Sequence, residues 1–238
     1  MNVTLIHATQ DAATLLLFTK QTRLAMTGVL LRQVREWPAE KQAEELAYMA
    51  KTIRSSWEFV HLTFLVQGLS RAAAQQVTRT RTASFAMQSQ RVADMSANCV
   101  VLPDLRNERQ AETWDHAVDT SLNAYKVLID DGMKKEDARG ILPINSECNL
   151  VVQYNLRAFA DMLAARRSLR AQGEYREMAR EMELLTIAEW PWVVPFLEDA
   201  NATAIKMLEE VASKIGITVG SGEGWEIAKA IDLLRKSS

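Results

Sequence analysis

The chain is short of cysteine and histidine, and each shortage excludes chemistry. Its 238 residues include two cysteines, Cys99 and Cys148, and three histidines, His7, His61 and His116. Two cysteines make no disulfide framework and carry no metal-ligand spacing. Three scattered histidines argue against a histidine-based metal site or a catalytic triad. Neither cysteine has a neighbouring proline or histidine. Cys99 is expected in an apolar strand of the core. Cys148 is expected at a helix start, where the dipole would favour a thiolate, but no base is visible beside it. Covalent catalysis by cysteine is therefore not expected. Positive charge is not in excess either. With 28 basic and 30 acidic residues the formal net charge is -2, which argues against bulk nucleic-acid binding and leaves room for a local basic pocket. No apolar run reaches membrane-spanning length, and the N-terminus lacks a signal-peptide pattern, so a cytoplasmic setting is the expectation. Internal repeats and low-complexity tracts are missing. The Gly220-Ser221-Gly222-Glu223-Gly224 stretch lacks the Gly-Lys-Ser/Thr of a phosphate loop and is expected to be a plain linker.

What remains is an ordinary globular composition, 48% hydrophobic and 24% charged, long enough for one sizeable core or two small ones. The pattern predicts a strand over Met1 to Ile6, an N-cap at Asp11 and a helix over Ala12 to Met26. A second helix is expected from Ala39 to Ile53, and a strand from Phe59 to Val66 that Gly68 interrupts. Ser70 to Gln76 reads as helix. Asn98 to Leu102 reads as a short strand ended by Pro103. Asn107 to Ile129 reads as a long amphipathic helix that closes near Gly132, and Lys134 to Arg139 as a short one. After Ile141-Leu142-Pro143-Ile144-Asn145 a long helix is expected to run to about Leu169. Further helix reaches Ala188 before the Trp190-Pro191-Trp192 break, and a short terminal helix closes the chain.

The stretch from Gln76 to Arg91 carries the strongest chemical signal. Arg79, Arg81 and Arg91 lie among hydroxyl and amide side chains with no carboxylate between them. Arg79 and Arg81 alternate along a short extended segment or turn, so both forks can face one way. Guanidinium groups stay charged and donate paired hydrogen bonds, which suits phosphate or carboxylate. Ser84 and Ser89 add neutral donors. The competing reading is a solvated basic edge that binds nothing.

Arg79-Thr80-Arg81-Thr82-Ala83-Ser84-Phe85-Ala86-Met87-Gln88-Ser89-Gln90-Arg91 resembles the signature of flavin-dependent thymidylate synthases, Arg-His-Arg-x-x-Ser-x-Asn-Glu-x-Ser-x-Arg. The three arginines and both serines are in register, and Gln76 matches a Gln upstream. Thr80, Ala86 and Met87 stand where the family has His, Asn and Glu. Ser55 and Glu58 match a further motif whose two histidines are Ile53 and Phe59 here. Ala138-Arg139-Gly140-Ile141-Leu142-Pro143-Ile144-Asn145 resembles the family's Ala-Arg-x-x-Leu-Pro-x-Asn segment. Asn155-Leu156-Arg157, Arg166 and Ala171-Gln172-Gly173-Glu174 follow in the family's order. The resemblance covers about Met1 to Leu197, within a single domain over residues 1–238 whose residues 198–238 form a helical extension.

The resemblance implies an α+β fold, with a small, mostly antiparallel sheet flanked by long helices. It implies a homotetramer with flavin between subunits. It implies that methylenetetrahydrofolate gives its one-carbon unit, by way of reduced FAD, to C5 of dUMP, with NADPH as reductant. Ser55, Arg79, Thr80, Arg81, Met87, Asn155, Arg157 and Asp161 then match flavin-binding positions. Gln76, Arg79, Met87, Gln88, Ser89, Gln90, Arg91 and Asn149 match positions at the pyrimidine deoxynucleotide, with Arg91 on its phosphate. Asn149 stands where the family has a phosphate-binding arginine. Arg166 matches the arginine facing the pyrimidine, where it would stabilise developing negative charge by position alone. Bland readings stay open beside these: Arg157 and Arg166 as salt-bridge residues, Asn155 as a local cap. Two functional alternatives also stay open. One keeps the cofactors but acts on dCMP or yields a 5-hydroxymethyl product. The other is a non-catalytic flavin- or nucleotide-binding homologue.

Overall fold

The computed structural model describes residues 1–24, 30–97, 99–168, 170–198, 208–209, 211–214, 217 and 225–237. At its centre lies a four-stranded antiparallel sheet in the order β1-β2-β4-β3, with β1 Asn2–Ala8, β2 His61–Ser70, β3 Ala83–Met87 and β4 Glu147–Asn155. The two central strands show why they are central. Leu62, Phe64 and Val66 of β2, and Cys148, Leu150, Val152 and Tyr154 of β4, are buried at every second position. That two-residue period puts one row of side chains on the core face. Fully burying each large apolar side chain is worth about 1.5–3 kcal/mol, so these rows anchor the sheet.

The described helices are α1 Ala12–Leu24, α2 Leu31–Arg35, α3 Ala39–Thr52, α4 Arg71–Val77, α5 Glu108–Asp130, α6 Lys135–Ala138, α7 Leu156–Arg166, α8 Gly173–Glu189, α9 Val194–Leu197 and α10 Trp225–Ser237. The architecture is α+β, as expected. Helix α8 packs on β1 and β2, and α4 and α7 pack beside it. Phe159 of α7 stacks on Phe64 with ring centroids 5.7 Å apart, which seats that helix on β2. Local capping sets the ends. Ser70 Oγ accepts from the Ala73 amide at the start of α4, and Asn107 Oδ1 accepts from the Gln110 amide at the start of α5. Gly132, with φ of 85°, ends α5 in the left-handed conformation that costs glycine little. A smaller cluster of Met95, Tyr125 and Ala138 ties α5 to α6.

Several expectations are corrected. No helix follows Asn145 directly. Residues 147–155 are strand β4, because their apolar residues alternate, and the helix begins only at Leu156. Cys148 therefore lies in a buried strand position and not at a helix N-terminus. Asn98 lies outside the described residues. The rest of the expected strand at Asn98 to Leu102 reduces to one isolated bridge, Val100 to Ser146, and Cys99 is exposed, not core. Gly68 interrupts β2 as expected, but the strand runs past Val66 to Ser70. With φ of 70° Gly68 sits at a break in register between Val66 and Leu69. Phe59 belongs to the 3₁₀ turn Arg54–Phe59 that precedes β2, and is exposed. The Asp11 carboxylate is engaged by Arg35 at 2.6 Å, while its carbonyl accepts from Leu15. The end of the expected helix at Met26 and the glycine-rich stretch lie outside the described residues.

Candidate active site

The arginine-rich stretch divides between a turn and an edge strand. Arg79, Thr80 and Arg81 lie in the turn after α4, where the Thr80 amide donates to Val77 O at 3.1 Å. Arg79 and Arg81 are exposed. After Thr82, residues Ala83–Met87 form β3, which pairs with β4 in the register Ala83 to Tyr154 through Met87 to Leu150. That pairing brings Gln88 against Asn149. The Gln88 amide donates to Asn149 O at 2.9 Å, and the Asn149 amide donates to Gln88 Oε1 at 3.1 Å. Arg71, at the start of α4, donates to Gln88 O at 3.4 Å, so a cation absent from the sequence reading reaches this corner. Ser89 Oγ accepts from the Arg91 amide at 3.2 Å. Arg91 Nε donates to Glu136 Oε2 at 2.6 Å, with both side chains more than a third exposed. Gln90 is buried, and its Nε2 has no hydrogen-bond partner. Gln76 bonds Gln172, the residue before α8.

A second group gathers on α7 and the 3₁₀ turn packed against it. Arg157 Nη1 donates to Glu58 Oε1 at 2.8 Å, Arg54 pairs with Asp161, and Ser55 Oγ accepts from Arg23. These side chains are exposed. Asn155 caps α7, its Oδ1 accepting from the Ala158 amide at 2.8 Å. The local-cap reading of Asn155 therefore holds for that oxygen. Arg54 and Glu58 were not among the expected site residues, although both flank Ser55 in the matched motif.

Arg166 occupies the last turn of α7, nine residues from Arg157. At 3.6 residues per turn that is two and a half turns, so the two arginines project from opposite sides of the helix. The guanidinium carbon of Arg166 lies 4.4 Å from the centre of the Tyr175 ring. Its Nε, the Tyr154 hydroxyl and the Tyr175 hydroxyl are all buried without a hydrogen-bond partner. The Tyr154 hydroxyl is close to Tyr175, Thr80 and Arg166, though neither the Tyr175 nor the Thr80 hydroxyl closes a hydrogen bond of normal geometry with it. Burial pushes the Tyr154 phenol well above its ordinary range, so it stays protonated. Burial likewise pushes the Cys148 thiol up, against the opposing effect of Arg71. A protonated, buried thiol is a poor nucleophile.

The predicted residues thus fall into two sets within the chain. Gln76, Thr80 and Arg166 meet around the start of α8, with Arg79, Arg81, and Met87 to Arg91 on the adjoining turn and strand. Ser55, Arg157 and Asp161 meet on the far side of α7, with Asn155 at its cap. Tyr154 and Tyr175 were missed because an aromatic residue at a buried position reads as core. The one signal was a hydroxyl at an inward position, on strand β4 for Tyr154 and on helix α8 for Tyr175, which needs a partner.

The charged groups suit a dinucleotide cofactor. Arg54 and Arg157 of the α7 set pair with the exposed carboxylates of Asp161 and Glu58. Such pairs are worth about 0–1 kcal/mol, so a pyrophosphate can displace them. Among the described residues no cluster suited to a metal ion is found, and no helix is long and apolar enough to cross a membrane.

The sequence has counterparts among known proteins. The profile of the family described as thymidylate synthase complementing protein matches residues 4–192, and the chain belongs to that family. Among its relatives is the flavin-dependent thymidylate synthase of Geobacter sulfurreducens, 32% identical over 168 residues that span 67% of this chain and 72% of the relative. The protein of the same description from Haloarcula marismortui is 28% identical over 227 residues, spanning 80% of this chain and 92% of the relative. That of Sulfurisphaera tokodaii is 28% identical over 193 residues, spanning 76% and 72%.

Proposed function

We propose that the protein methylates dUMP at C5 to give dTMP, using FAD, with methylenetetrahydrofolate as one-carbon donor and NADPH as reductant. In this reading, family membership and the relatives' description as flavin-dependent thymidylate synthases support the flavin and the dTMP product, and the signature resemblance supports the folate and NADPH. One observation of the fold carries it. Arg166 is held beside the signature turn with its charge facing no carboxylate among the described residues, while Arg167 next to it pairs with Glu183. A cation left unneutralised near Thr80 is available to an acceptor whose negative charge grows during reaction.

Ser55, Arg157 and Asp161, with Arg54, would hold the flavin on one side, and Arg79 and Arg81 would add charge-assisted hydrogen bonds. Bound there, flavin supplies the redox relay between reductant, folate and pyrimidine. Arg91 would leave Glu136 for the nucleotide phosphate. Arg71, placed at the Gln88–Asn149 corner, supports the phosphate side where Asn149 carries no charge. Because Arg157 and Arg166 project from opposite sides of α7, we place complete sites between copies of the chain in a homotetramer, working in the cytoplasm.

Titration with FAD tests the cofactor, and saturable binding is expected. Turnover of dUMP, with dCMP as the control, tests the substrate. Arg166→Ala should lower dUMP turnover by about 10²–10³, the usual cost of losing one preorganised charge-stabilising donor. FAD affinity should change little. Normal turnover in that variant would remove Arg166 from the pyrimidine, and absent FAD binding would sink the whole reading.

A further inference from the structure

Arg166 and Arg167 are neighbours with opposite arrangements. Arg167 is tied down by ionic and polar contacts: Nη2 donates to Glu183 Oε1 at 2.5 Å and Nη1 to Leu197 O at 2.6 Å. Arg166 is held by an aromatic face. Its guanidinium lies over Tyr175 at 4.4 Å, and its Nε is buried without a partner. The difference has chemical meaning. A carboxylate beside an arginine fixes it and cancels its charge. An aromatic face attracts the cation through the ring quadrupole and fixes its plane, yet adds no opposing charge. Such a mount suits an arginine that must present its charge to something else.

The mount is itself anchored. Tyr175 is fully buried in the first turn of α8. On one side, Glu174 accepts from the Ser70 amide at 2.6 Å and from Ser70 Oγ at 2.5 Å. On the other, Gln172 is bonded by Gln76. The start of α8 is thus clamped to both ends of α4, the helix that leads into the signature turn. Ring, arginine and turn share one rigid frame.

We propose that Tyr175 is the positioning residue of this enzyme: its ring sets the orientation of the Arg166 guanidinium, and its hydroxyl is dispensable. The proposal rests on the reading that Arg166 faces the pyrimidine, and its test separates the two. In flavin-loaded full-length protein, Tyr175→Phe keeps the ring and should leave kcat for dUMP within about 3-fold, whereas Tyr175→Leu removes the ring and should lower kcat about 10-fold or more. FAD affinity should hold in both. In an Arg166→Ala background, Tyr175→Leu should cost nothing further, because coupled residues are not additive. Fluorinated phenylalanines at position 175 weaken the ring quadrupole with almost no change of shape. Both kcat and the dUMP affinity measured by titration calorimetry should fall stepwise along that series, at unchanged thermal midpoint. This series keeps the test open should the leucine variant not fold. A flat fluorine series overturns the proposal. So does an equal loss in Tyr175→Phe and Tyr175→Leu, or a loss from Tyr175→Leu that persists without Arg166. Normal turnover in Arg166→Ala alone would instead remove the underlying reading, and Tyr175 with it.

Discussion

At the scale of single residues, the buried Tyr154 hydroxyl has the clearest energetic consequence. A buried polar group without a partner costs about 1–3 kcal/mol. Tyr154→Phe removes that group and keeps the ring, so stability at neutral pH should stay level or rise. The same change should alter the pH profile. The folded phenol titrates well above its ordinary value because of burial, while the unfolded one titrates near 10. Below about pH 10 both states are protonated and titration of this group takes nothing from stability. As pH climbs past that point the unfolded state releases its proton first and stability falls. Urea unfolding of wild type and Tyr154→Phe between pH 8 and pH 11 measures this, with a shallower alkaline decline expected for the variant. An identical slope would show that Tyr154 does not carry the effect. The cysteines allow a second check. With Cys148 protonated in a strand and Cys99 exposed, the double change Cys99→Ser, Cys148→Ala should leave dUMP turnover within a few-fold in a folded protein. A loss of several orders of magnitude would require a thiol in the reaction.

At the scale of elements, helix α7 is where structure and site are hardest to separate. Asn155 caps it, and a lost cap costs about 0.5–2 kcal/mol, so Asn155→Ala should lower stability by that amount. Asn155→Asp keeps an acceptor for the Ala158 amide but loses the amide donor. Retained stability with weakened FAD binding would give Asn155 a contact to the cofactor. Full affinity in Asn155→Asp would leave it a cap only. The same region shows how far the sequence could be read. Helices α3 and α5 follow from apolar spacing, because each element declares itself locally. Strand β4 was hidden. Cys148, Leu150, Val152 and Tyr154 alternate, but the motif residues on either side drew the helix assignment across them. The apolar run at Cys99 to Leu102 erred the other way. It looks like a strand, yet among the described residues it forms one isolated bridge, Val100 to Ser146, with the segment before β4. Of the site, the arginines and serines were legible because charge among small polar residues is rare in a core. Tyr175 was not, since its role exists only once α8 lies against the end of α7.

At the scale of the whole molecule, the separation of Arg157 and Arg166 across α7 makes a prediction about assembly. If one copy supplies Arg157 and another Arg166 to each site, two inactive variants should repair one another. Arg157→Ala and Arg166→Ala chains, unfolded together and refolded as a mixture, should regain a measurable share of dUMP turnover that neither has alone. A mixture no better than its parts would place both arginines in sites built within one copy. The sheet order has another consequence, for how the chain comes to be folded. The central strand β2 can pair on its inner side only with β4, and β3 has β4 as its partner in the sheet. His61 must wait for Asn155, and Ala83 for Tyr154. Contacts so distant along the chain close slowly and late. On a ribosome, the signature strand would therefore emerge long before the strand that receives it. Until Glu147 to Asn155 follow, Arg79 to Arg91 belong to a nascent chain without strand β4 to pair with, and the arginines gain their arrangement only once Asn155 has been made.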